Sequence, residues 1–237
     1  MKDIVFTQNN GEIYLASVGD DNDIHTSDGA ARELGLSKKI IPGMWLASHI
    51  QERNVITNIN RILFSSNVFY EDIIARDEVL KGSKRDYVFR RGKEVVCSVE
   101  GVQVDDYVKV PKPLERVYHT YDTYAPKSRI SLFLESLGFA PNLEGTPNTY
   151  LASLSAPAML SFGANNGNDK GIHVSQSFHL HEQYRPGKIK VQIGDERIKR
   201  DIRYYELRWI QGERMIASGR AGIVLRGSIL EESADLS

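Results

Sequence analysis

The chain carries one short segment twice. Pro42-Gly43-Met44-Trp45-Leu46-Ala47-Ser48 lines up with Pro147-Asn148-Thr149-Tyr150-Leu151-Ala152-Ser153, 105 positions later. Leu34-Gly35-Leu36 matches Leu137-Gly138-Phe139 at a spacing of 103, and Gly92-Lys93-Glu94-Val95-Val96-Cys97-Ser98 matches Gly212-Glu213-Arg214-Met215-Ile216-Ala217-Ser218 at 120. Three matches in the same order imply two copies of one unit, the second carrying extra chain. The polar, glycine-rich stretch from Gly163 to Gly171 is the expected insertion. Pro111-Lys112-Pro113 is the expected linker, because proline cannot continue a central strand. The chain then divides into residues 1–112 and 113–237.

Local signals give each copy the same plan. Asp28 to Leu36 reads as a short helix with Ala30, Ala31 and Leu34 on one face and Thr26 or Ser27 as its cap. Met44 to Ile50 is apolar nearly all round, as a helix enclosed by other structure must be. Strands follow. Val95 to Val104 is rich in β-branched residues. Ile189, Val191 and Ile193 alternate with Lys190 and Gln192, and Tyr205, Leu207 and Trp209 alternate with Glu206 and Arg208. Arg91-Gly92-Lys93 and Gln211-Gly212-Glu213 read as hairpin turns. An apolar helix facing an antiparallel sheet that is hydrophobic on one side is a two-layer α+β arrangement.

Composition removes several classes of function. The 237 residues carry a net charge of −1, so no overall field favours nucleic acid or an anionic membrane. No run of about 18 apolar residues is available to span a bilayer. The single cysteine, Cys97, cannot form an intrachain disulfide, and the N-terminal residues do not resemble a signal peptide, so a cytoplasmic location is expected. The six histidines are scattered without zinc-ligand spacing. Among them His179 and His181 share one strand face and only weakly resemble a metal pair. Cys97 reads as a small core residue.

Residues 19–25, Gly19-Asp20-Asp21-Asn22-Asp23-Ile24-His25, place a carboxylate and an imidazole five positions apart on one tight loop. Alone, such an acidic run is a solvated turn. Followed by Pro42-Gly43 at the mouth of the enclosed helix, it offers a pair that can hold water and move a proton. This pattern resembles the MaoC-like, or type 2 enoyl-thioester hydratase, family. That family carries Gly-Asp-x-Asn-Pro-aliphatic-His, then a helix, then a second helix containing Gly-Met. The likeness spans residues 1–112, while the second half is similar only in its helix and hairpins. Asp23 stands where the family has proline. Aspartate is also a turn former, and directed inward it would raise the pKa of Asp20.

The resemblance implies two hot-dog folds in one chain, each an antiparallel sheet wrapped around a buried helix. It also implies reversible hydration of a trans-2-enoyl thioester, on coenzyme A or acyl carrier protein, to the (R)-3-hydroxyacyl thioester. Asp20 and His25 then activate water and shuttle its proton. The backbone N–H of Gly43, free of an intrahelical partner, polarises the thioester oxygen. Asn22 orients the loop. Met44 and Trp45 are substrate contacts or ordinary core. Thr57 and Asn58 are candidates for a third polar site residue downstream of the helix. No metal or redox cofactor is required, and a homodimer is one possible assembly. Neither register of the repeat restores an acid–base pair in the second half, which is expected to complete the interface and shape an acyl tunnel. The basic run Lys81, Lys84, Arg85, Arg90, Arg91 and Lys93 can meet coenzyme A phosphates or form a solvated hairpin face. Two alternatives remain open at this point: a hot-dog acyl-thioesterase, or an inactive acyl-binding or partner subunit.

Overall fold

A computed structural model describes residues 2–50, 56–104, 108–139, 147–165 and 171–225. The first half runs β1 (Lys2–Val5), α1 (Gln8–Val18), a 3₁₀ turn (Asp23–His25), α2 (Asp28–Glu33), α3 (Gly43–Ser48), β2 (Ile56–Phe64), β3 (Ile73–Lys81), β4 (Lys84–Arg91) and β5 (Glu94–Val104). The second runs β6 (Val117–Ala125), α4 (Lys127–Ser136), α5 (Asn148–Ser153), α6 (Ser155–Asn165), β7 (Gly171–Leu180), β8 (Gly187–Lys199), β9 (Ile202–Gln211) and β10 (Arg214–Leu225).

All ten strands form one antiparallel sheet in the order β1-β3-β4-β5-β2-β7-β10-β9-β8-β6. Each half contributes five strands in the same internal order, and the halves join where β2 pairs with β7. The alternating residues Ile189, Val191, Ile193, Leu207 and Trp209 all point into the core. Gly92 and Gly212 sit at positive φ in the matching β4–β5 and β9–β10 turns, where a side chain would be strained. Cys97 is fully buried, and burial pushes its thiol pKa well up, which suits a core residue.

Pairs of hydrogen bonds relate the halves. Trp45 Nε1 donates to the carbonyl of Ser136 (3.3 Å), and Tyr150 OH donates to the carbonyl of Ser17 (3.2 Å). The hydroxyls of Ser48 and Ser153, 105 positions apart, meet at 3.2 Å. Such reciprocal contacts are what a two-fold relation between like units produces. Both α3 and α5 begin after proline and are buried along their length.

These pairs also correct two sequence expectations. α1 packs against α4, and Ser17 plays opposite Tyr150 the part that Ser136 plays opposite Trp45. The αL glycine Gly19 that ends α1 therefore corresponds to Gly138 after α4, and the Leu34-Gly35-Leu36 match is a coincidence of helix ends. Helix α1 escaped the sequence reading although Thr7 caps it and Gly19 closes it; its polar face carries Gln8, Asn9, Asn10 and Glu12, which mask the apolar side. In the second half the added chain includes α6, which takes in Gly163 to Asn165 of the expected insertion, while residues 166–170 lie outside the described residues.

Candidate active site

Gly19 ends α1 in the left-handed region (φ 73°), which turns the chain sharply into Asp20. The carboxyl Oδ1 of Asp20 accepts from the N–H of Asn22 (3.2 Å). Asn22 in turn caps the 3₁₀ turn through its side chain on the N–H of Ile24 (3.4 Å). That turn presents His25 back toward Asp20. Tyr70 OH donates to the His25 carbonyl (3.1 Å) and pins the end of the turn. Asp23 lies at the start of the 3₁₀ turn, outside the hydrogen bonds that hold Asp20.

His25 is fixed by its ring. Nδ1 lies 2.9 Å from the carbonyl oxygen of Ile40. A carbonyl only accepts, so Nδ1 carries the hydrogen and Nε2 of the neutral ring keeps its lone pair. Nε2 stands 3.9 Å from Asp20 Oδ2. That is too long for a direct hydrogen bond. It suits one water shared by both atoms, since two bonds of ~2.8 Å then converge at roughly a right angle. Asp20 and His25 are 7% and 8% exposed. Removal from water pushes the Asp20 carboxyl above its ordinary range, outweighing the nearby His25 and the Asn22 N–H, which favour the charged form.

Both side chains open onto a cavity of about 300 Å³. Asn22, Gly43, Met44 and Leu46 share its wall. Gly43 is there for a steric reason: a Cβ would meet the Phe64 ring at 3.0–3.2 Å. The opposite wall comes from the second half, chiefly Met159, Leu160 and Phe162 of α6 and Ile172 to Val174 of β7. The cavity is thus built across the repeat, with the titratable pair in its wall and mostly apolar side chains from both halves around it.

Other expected site residues fall elsewhere. Trp45 lies in the core between Phe6 and Tyr14, not on the cavity wall. Asn58 is buried on β2, with its amide on Gln103 and His179, away from the cavity. Thr57 belongs to β2, but its side chain is outside the described residues. The polar groups that reach the cavity just after β2 are instead Ser65, Ser66 and Asn67. A run of three turn-forming residues after a strand was the available signal. Four of the six residues in the basic run are matched by acids: Lys81 with Asp86, Arg85 with Glu78, Arg90 with Asp77, and Arg91 with Asp72 and Glu94. They form the solvated face. His181 is committed to Val108 and Ser218, and His179 to Asn58, so the weak metal pair dissolves into separate hydrogen bonds.

Among the described residues the second half has no equivalent pair. If Gly19 corresponds to Gly138, the residue at the place of Asp20 is Phe139, which packs on the core. Only eight residues separate Gly138 from Pro147, against twenty-two between Gly19 and Pro42.

Neither a family model nor a curated protein matches the sequence. Solved structures do. A MaoC-like dehydratase superposes with a TM-score of 0.65 at 11% identity, covering 94% of this chain and 95% of its own. The fold is a double hot-dog. A MaoC-like dehydratase from Phytophthora capsici has a TM-score of 0.58 at 11% identity, with 94% of each chain covered. A Lactobacillus plantarum protein described as an oleoyl thioesterase has a TM-score of 0.55 at 9% identity, covering 94% and 95%. No helix among the described residues is long and apolar enough to cross a membrane.

Proposed function

We propose that the protein adds water reversibly to a trans-2-enoyl thioester, giving the 3-hydroxyacyl thioester, with residues 1–112 supplying the chemistry and 113–237 the far wall of the site. The observation that carries this reading is the Asp20–His25 pair: buried, 3.9 Å apart, and lining a cavity whose wall is mostly apolar.

In the forward direction a water held by His25 Nε2 and Asp20 Oδ2 attacks C3. One of its protons passes to the pair as the C3–O bond forms. The electrons of the double bond move toward the thioester oxygen, and a proton from the pair is then delivered to C2. Water is thereby added as OH at C3 and H at C2, and the pair is restored. The raised Asp20 pKa suits this, because a carboxyl that holds its proton closer to neutrality can donate as well as accept. The thioester oxygen gathers charge as C3 is attacked, and Gly43 N–H, the first of its helix, is the nearby backbone donor. Its lack of a side chain lets the carbonyl approach beside the Phe64 ring.

A likeness to a thioesterase keeps hydrolysis as the second reading. Incubation of the purified protein with crotonyl-CoA separates them. Loss of enoyl absorbance without free thiol is the expected result. Release of free thiol establishes hydrolysis instead. Binding without either change makes the protein an acyl-binding subunit.

A further inference from the structure

The cavity wall carries a polar group that the hydration steps leave unused. His173 stands on β7 and lines the cavity among apolar residues of α6 and β10, including Met159, Phe162 and Ile223. Its Nε2 lies 2.9 Å from the carbonyl oxygen of Ser175. Because that oxygen can only accept, Nε2 is the protonated nitrogen. Burial depresses the imidazole pKa to about 4, so near neutrality the ring is uncharged and Nδ1 has a bare lone pair. Among the described residues, His173 has no other hydrogen-bond partner. The ring is held edge-on to Phe64, with centroids 5.8 Å apart, and Phe64 rests against Gly43. His173 is therefore fixed one aromatic ring beyond the place where the thioester oxygen would sit.

An acceptor set in an apolar wall is costly to dehydrate unless the ligand supplies a donor. We propose that His173 Nδ1 accepts a hydrogen bond from a hydroxyl on the distal part of the acyl group, so that the cavity selects hydroxylated acyl thioesters over plain alkyl ones. The assignment rests on the function proposed above, since it takes the thioester end to lie between His25 and Gly43. Phe64 and Gly43 set the distance from the reacting carbons, and His173 reads the substituent. The serine carbonyl fixes the tautomer, so the ring presents an acceptor and not a donor at this wall.

The test compares two 2-enoyl-CoA substrates of equal chain length, one terminally hydroxylated and one unsubstituted, together with their saturated analogues as ligands in calorimetry. The wild-type protein should favour the hydroxylated substrate by about tenfold or more in kcat/KM, the gain lying mainly in KM. His173→Leu should bring that ratio near one, and His173→Asn, which keeps an acceptor, should restore part of it. An unchanged ratio in His173→Leu, or a wild-type protein that treats both chains alike, overturns the proposal. The wild-type comparison decides even if a variant does not fold. Tighter binding of the hydroxylated analogue without turnover would sink the hydration reading and leave the selectivity standing. Hydration without selectivity does the reverse, and absence of both binding and turnover overturns both.

Discussion

Replacing Asp20 by asparagine removes a single ionisable oxygen and almost nothing else. The side-chain Oδ1 of asparagine can still accept from the Asn22 N–H, so the loop keeps its shape. Its amide nitrogen then stands in the place of Oδ2, 3.9 Å from His25 Nε2, and offers the shared water a donor where the carboxyl could take or return a proton. Positioned acid–base groups contribute roughly 10²–10⁴-fold, or about 3–5 kcal/mol of barrier, and that is the expected loss in kcat/KM. Stability should move the other way. The folded state raises the Asp20 pKa by desolvation, so the folded chain binds this proton more tightly than the unfolded one. Asp20 thus favours the fold fully below its unfolded pKa, and that contribution is lost as the pH rises through the folded pKa. At neutral pH the carboxylate is a cost, and the amide relieves it. Asp20→Asn should therefore unfold at the same or a higher temperature than wild type at pH 7, with the difference shrinking toward acid pH. The assay pairs enoyl-CoA absorbance with thermal unfolding across pH. Activity within about threefold of wild type would refute the assignment, as would a loss of activity that tracks a loss of folding.

Further outcomes follow from the same geometry. His25→Gln should lose activity on the scale of Asp20→Asn, and the double variant should lose little more, because the two act on one water; steady-state kinetics of the three proteins decide this. Gly43→Ala places a methyl 3.0–3.2 Å from the Phe64 ring, so it should destabilise by roughly 1–3 kcal/mol in denaturant unfolding, and the added change Phe64→Leu should recover part of that. Trp45→Ala empties the centre of the aromatic cluster around Phe6 and Tyr14 and should cost about 3–5 kcal/mol of stability in the same measurement. Asn22→Ala removes the side-chain cap of the 3₁₀ turn and should lower stability by roughly 0.5–2 kcal/mol while weakening catalysis through a looser His25; calorimetric unfolding and kcat/KM together test it.

Much of the site was legible because its signals are local. The loop from Gly19 to His25 declares itself through its turn-forming residues and four titratable side chains, Asp20, Asp21, Asp23 and His25, within seven positions, and Pro42 marks the start of α3. Ser27 caps α2 as expected. The residues whose placement was not legible share a different cause. Asn58 is buried next to buried Ile59 on a strand whose Asn60 and Arg61 are exposed, so alternation gave no indication of which face looks into the cavity. Trp45 shares a wholly buried helix with Met44, and only the placement of α4 decides that one faces the core and the other the cavity. Ser65 to Asn67 share the cavity wall with His173 and α6, which lie far away in sequence.

The sequence by itself determined the pieces: two related halves, the strand and hairpin pattern, the enclosed helix and the acidic loop with its carboxyl and imidazole. Each of these depends on dihedral preferences, caps and alternation that act over a few neighbouring residues. Tertiary structure alone decided that β2 pairs with β7, that α6 closes over the site, and that Phe139 packs on the core beyond Gly138. Those outcomes depend on which apolar faces are brought together when the sheet closes, and burial free energy is indifferent to the separation of its partners along the chain.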